Sequence, residues 1–104
     1  MIITTTDAIE GHRVVEYQGL VSSTAIHGVA VGKDIKAIGR NIVGGRATVY
    51  ENELDGGQVE AMAELQEAAE KLGANAIVGV NIDYEAVAEK MLMVSMTGTA
   101  VVID

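Results

Sequence analysis

Leu72-Gly73-Ala74-Asn75-Ala76-Ile77-Val78-Gly79-Val80-Asn81-Ile82-Asp83-Tyr84-Glu85 is the stretch in which an amphipathic helix stops, turns and becomes a buried strand. Upstream of it Val59, Met62, Leu65, Ala69 and Leu72 recur at three- and four-residue spacing, with Glu60, Glu64, Glu67 and Lys71 on the other side. That spacing predicts a helix with one face on a core. Gly73 follows at once, and a glycine there reaches the left-handed conformation that satisfies the last helical carbonyls without a Cβ penalty. The apolar, β-branched run Ala76 to Ile82 then predicts a strand, which the polar Asp83-Tyr84-Glu85 is expected to close.

The 104 residues have room for one domain, spanning 1–104, and 49% hydrophobic content excludes a disordered chain. There is no Phe and no Trp, and the aromatics are Tyr17, Tyr50 and Tyr84, so Val, Ile, Ala, Met and Leu must build the core. A chain of this size buries roughly 60–70% of its unfolded surface, which favours further burial through self-association.

The formal net charge is −8, from 15 acidic and 7 basic residues. Only Lys33, Lys36, Arg40 and Arg46 form a local basic group, which argues against nucleic acid as a partner. The absence of cysteine excludes disulfides and thiolate metal sites and suits a reducing compartment. No basic-then-apolar leader opens the chain, and no run approaches the ~18 apolar residues that span a bilayer. A soluble, cytoplasmic protein without membrane contact is expected.

In chain order, Ile2 to Thr6 is short and β-prone, and His12 to Ser22 alternates well enough to predict a strand. Ser23 to Gly32 reads as a glycine-interrupted extended arm. Asp34 caps a short predicted helix to about Val43, which Gly44-Gly45 breaks. Ala47 to Leu54 again fits a helix, but Asp55-Gly56-Gly57 sets a glycine pair inside it at a cost of roughly 2 kcal/mol. The helix is either continuous there or broken. Ala86 to Lys90 is expected to turn, and Met91 to Ile103 is the longest β-prone run, its first half without polar alternation and so expected to be covered on both faces.

Ile42-Val43-Gly44-Gly45-Arg46, Tyr50-Glu51, Leu54, Leu72 to Val80, Ile82 to Glu85, Met91-Leu92-Met93-Val94-Ser95 and Thr97-Gly98-Thr99-Ala100-Val101 resemble, in that order, the YbjQ family, whose working label is heavy-metal binding. Thr4-Thr5-Thr6 and Glu16-Tyr17 extend the likeness almost end to end. The resemblance implies an α+β, two-layer, dodecin-like subunit in which a curved antiparallel sheet packs on one long helix, assembled as a ring-shaped homopentamer. It also implies a metal ion as the cofactor to test. Family members carry ordinary helix formers in place of Asp55-Gly56-Gly57 without a change of spacing, which favours a continuous helix.

The residues themselves offer few sites. His12 and His27 are candidate metal ligands, each isolated in sequence, and Met91 and Met93 share a strand face with Met96 on the other, a pattern expected of gap-filling core. Gly44, Gly45 and Arg46 can present backbone N–H groups and a guanidinium to an anion, or simply let two helical segments meet at an angle. Asp83 and Glu85 point the same way and lack a third donor, while Tyr50 and Tyr84 suit anchors at an interface. No serine has a neighbouring base, so no enzyme is expected. The reading is a homo-oligomer that binds a metal ion or small ligand at a subunit interface, with a structural or interaction ring as the alternative.

Overall fold

The computed structural model describes residues 1–28, 44–88 and 91–104, with side chains described outside 27–28 and 44–55. Strands β1 (Ile2–Ile3) and β2 (Val14–Gly28) precede helix α1 (Gly44–Lys71), and β3 (Ala76–Ala88) and β4 (Met91–Ile103) follow it. The sheet order is β1-β3-β4-β2. β4 is antiparallel to both neighbours, but Ile2 and Ile3 run parallel to Ala76 and Ile77, so the sheet is mixed rather than wholly antiparallel. The short helix expected over 34–43 lies outside the described residues, as do 29–32 of the expected arm; its first part, Ser23 to Gly28, simply continues β2.

The turn after α1 follows its sequence signal closely. Gly73 has φ 82°, its N–H donates to the Glu70 carbonyl at 2.9 Å, and the Ala74 N–H donates to the Ala69 carbonyl at 3.1 Å. This is the paired bonding of a Schellman stop, and Ala69 and Ala74 complete it by packing in one core cluster. Asn75 then clips the sheet. Its amide donates to the Ile103 carbonyl at 3.0 Å and its oxygen accepts from the Ile103 N–H at 2.7 Å.

α1 runs unbroken through Asp55-Gly56-Gly57. Its buried seam is Gly57, Ala61, Leu65 and Ala69, one residue every four, with Met62 and Ala68 alongside. Met62, Leu65 and Ala69 of the expected face thus meet the core, but its two ends do not, because Val59 is 70% and Leu72 45% exposed. Small side chains let the helix backbone lie close to the sheet, so the seam is set by size rather than by hydrophobicity. Val21, Ala25, Ile77, Val80, Val94, Met96 and Ala100 meet it from the strands. Ser23, the one buried polar side chain among the described residues, donates its hydroxyl to the Ala61 carbonyl at 2.7 Å.

A bulge governs the rest of β3. Val78 pairs with Thr99 and Asn81 with Thr97, so β3 carries one extra residue there, and Gly79 takes φ 62° with its N–H donating to the Thr6 carbonyl at 2.8 Å. The extra residue shifts the alternation. Ile77, Val80 and Ile82 all face the helix, while Asn81, Asp83 and Glu85 face away from it. Ala76, Val78, Val101 and Ile103 form a second cluster on the far face, packed by Ile9 and Val14. β3 then continues to Ala88, so Asp83, Tyr84 and Glu85 stand within the strand instead of closing it, and Ala86 to Ala88 is strand rather than turn. The cause is β4, whose pairing carries β3 to Ala88 opposite Met91, with a second irregularity after Ala86.

Candidate functional site

The face of the sheet turned away from α1 is built by that register. Across β3, β4 and β2 it carries Asn81, Thr97 and Ser22 in one row, Asp83, Ser95 and Thr24 in the next, and Glu85, Met93 and Ile26 in a third. Hydroxyl and amide side chains and the Asp83 carboxylate therefore occupy the middle of the face, and Met93 and Ile26 lie beside Glu85 at its end. Asp83 accepts from the Asn81 amide at 3.0 Å. Tyr84 points the other way, and its hydroxyl donates to Gln58 of α1 at 3.0 Å while the residue stays 49% exposed. Asp83 and Glu85 share a face as expected, and Tyr84 does not join them.

The remaining candidates are dispersed. The His12 ring bonds through Nδ1 to the Asp104 backbone carbonyl at 2.8 Å; since a carbonyl only accepts, Nδ1 carries the proton and Nε2 keeps the lone pair in the neutral ring. A metal-bound histidine is held in this way by its outer partner. Arg13 adds to the same corner, its N–H donating to the Asp104 carboxylate at 2.8 Å. His27 lies near the far end of β2, in register with Leu92. At ~3.3 Å per residue along an extended strand the two histidines of one chain are separated by on the order of 50 Å, too far to share an ion. Gly44, Gly45 and Arg46 form the first turn of α1, with Tyr50 two turns in; their side chains lie outside those described. Gly44-Gly45 thus opens a helix.

Among the described residues no three His, Asp or Glu side chains converge as a metal site would require. The donors of a single subunit, as described, do not fit a metal ion of the histidine and carboxylate kind. Sequence reasoning missed Gln58 as the partner of Tyr84 and missed the hydroxyl rows, both of which depend on register. It also expected Met91 and Met93 to be covered, whereas Met91 is 40% exposed and Met93 half-buried. Their place on the helix-averted face, opposite Gly28 and Ile26, explains the difference.

Fold and site together define a small α+β protein with an open sheet face and no helix among the described residues long and apolar enough to cross a membrane. Comparison with known proteins then places it. A family model described as "Putative heavy-metal-binding" matches residues 1–104, and the chain belongs to that family, YbjQ. It is 49% identical over 104 residues to a UPF0145 protein of Persephonella marina, covering 100% of both chains. It also resembles the crystal structure of a protein of unknown function of the DUF74 family from Pediococcus pentosaceus, with a TM-score of 0.66 at 24% identity over 100% of this chain and 98% of that one. That likeness speaks for the fold alone.

Proposed function

We propose that the protein is a cytoplasmic, dodecin-like ring subunit, a homopentamer that works by binding a metal ion or small ligand where subunits meet rather than by catalysis. The observation that carries this reading is the pair of open sheet edges. Among the described residues β2 is an edge strand of 15 residues, and Val15, Tyr17, Leu20 and Ile26 on it are 53%, 72%, 77% and 54% exposed. On the opposite edge β1 covers only Ala76 and Ile77, and Thr4 and Thr6 extend the bonding to Val80. Asn81 to Ala88 has no strand beyond it among the described residues. A long apolar edge is a template for another strand, and folded proteins seldom leave one open in water. Two unlike edges on one sheet favour head-to-tail pairing, which closes into rings.

A second reading, a ring without a small-molecule site, is favoured by the lack of converging donors among the described residues. Native mass spectrometry of the full chain, purified without added metal and then exposed to Zn(II), Ni(II) and Cu, separates the two. A pentamer with a reproducible added mass is expected. A pentamer that never gains mass supports the structural ring, and a monomer overturns both.

A further inference from the structure

The methionines divide into two kinds. Met96 is fully buried and Met62 packs half-buried against the core, which is the usual gap-filling role. Met91 and Met93 are placed otherwise, two residues apart on β4, on the face away from α1 and open to solvent in the first case. Their neighbours in register are small or apolar on three sides, Gly28 and Ala88 beside Met91 and Ile26 beside Met93, with the Glu85 carboxylate on the fourth. No hydrogen-bonding need explains two thioethers at a surface, because thioether sulfur is a weak acceptor.

We propose that the Met91 and Met93 sulfurs chelate one soft monovalent cation, Cu(I) or Ag(I), on the outer face of the β3–β4 hairpin. Thioethers are soft donors that select Cu(I)-like ions over hard divalent ones. Alternate residues of a strand project from the same face ~6.7 Å apart, and the three rotatable bonds of each methionine bring the sulfurs together from that spacing. Glu85 beside Met93 and the net charge of −8 favour a cation over an anion at this end. The inference rests on the metal-binding part of the reading above and names its class of metal. Both sulfurs belong to one chain, so this site lies within the chain rather than where subunits would meet, and it does not depend on the ring.

The test is an Ag(I) titration of protein carrying 13C at the methionine methyls, which gives one signal for each of the five methionines. The Met91 and Met93 signals are expected to move together and saturate at one ion per chain, with Met96 unmoved. Met91→Leu and Met93→Leu should each weaken binding by roughly a hundredfold, since the second sulfur otherwise binds intramolecularly. The unshifted Met96 signal reports that each variant is folded. Absence of any shift, movement at Met1 or Met62 instead, or Leu variants that bind like the parent would overturn the site. Light scattering on the same samples reports assembly separately, so a monomer that binds Ag(I) sinks the ring and keeps the chelate.

Discussion

Gly98 faces α1 from the middle of β4, and a Cβ there would lie 2.7 Å from Ile77 Cγ2 and 3.1 Å from Val80 Cγ2. Both contacts belong to core methyls on a paired strand, which cannot swing aside as a surface side chain can. Gly98→Ala is therefore expected to destabilise by roughly 1–3 kcal/mol, despite the entropy an alanine removes from the unfolded chain. Urea denaturation checks this; an unchanged midpoint would mean that β3 gives way. Gly73 is a different case, because its constraint is φ 82° and not crowding. The sequence announced Gly73, since a helix stop is a local signal. It could not announce Gly98, whose reason lies on a strand some twenty residues away.

At the scale of elements, the seam of α1 decides how close helix and sheet approach. Ala61 is fully buried and its carbonyl takes the Ser23 hydroxyl, so Ala61→Leu pushes the layers apart and is expected to cost roughly 1–3 kcal/mol. Val59→Gln, on the face that hydrophobicity would have chosen, should stay within ~0.5 kcal/mol. Chemical denaturation of the two variants side by side tells which face packs. The helix was legible from its spacing and its stop, and its buried face was read correctly at Met62, Leu65 and Ala69 but not at Val59 and Leu72, where large apolar residues stand exposed. Gly57 shows the physical reason. A residue without a side chain adds nothing to a hydrophobic pattern, yet Gly57 is buried on the seam. The bulge at Gly79 was equally silent, and with it went the positions of Asp83 and Glu85, because one extra residue moves every later side chain of a strand to the other face. Of the candidate site, the shared orientation of Asp83 and Glu85 was readable from alternation alone. The bond from Tyr84 to Gln58 was not, since no sequence pattern links a strand position to one helix side chain.

At the scale of the molecule, the radius of gyration is 17.0 Å and the extents are 55 × 23 × 16 Å, against ~13 Å for the radius of a compact domain of about 100 residues. So elongated a chain has much surface for its core, a shape in keeping with the assembly proposed above. Its unfolding midpoint should accordingly rise with protein concentration, by about 2 kcal/mol per chain over a hundredfold range, and Tyr17→Lys with Leu20→Lys should abolish the dependence. Denaturation at several concentrations measures it, and a midpoint indifferent to concentration would speak for a self-sufficient monomer. The order of the strands also bears on how the chain is born. Among the described residues β2 pairs only with β4, Val14 opposite Ile103, so the second strand made waits for the last. Ribosomes add ~5–20 residues per second. For several seconds the nascent chain carries an unmatched strand with Tyr17 and Leu20 bare, and whatever shelters it during translation shares in making the fold.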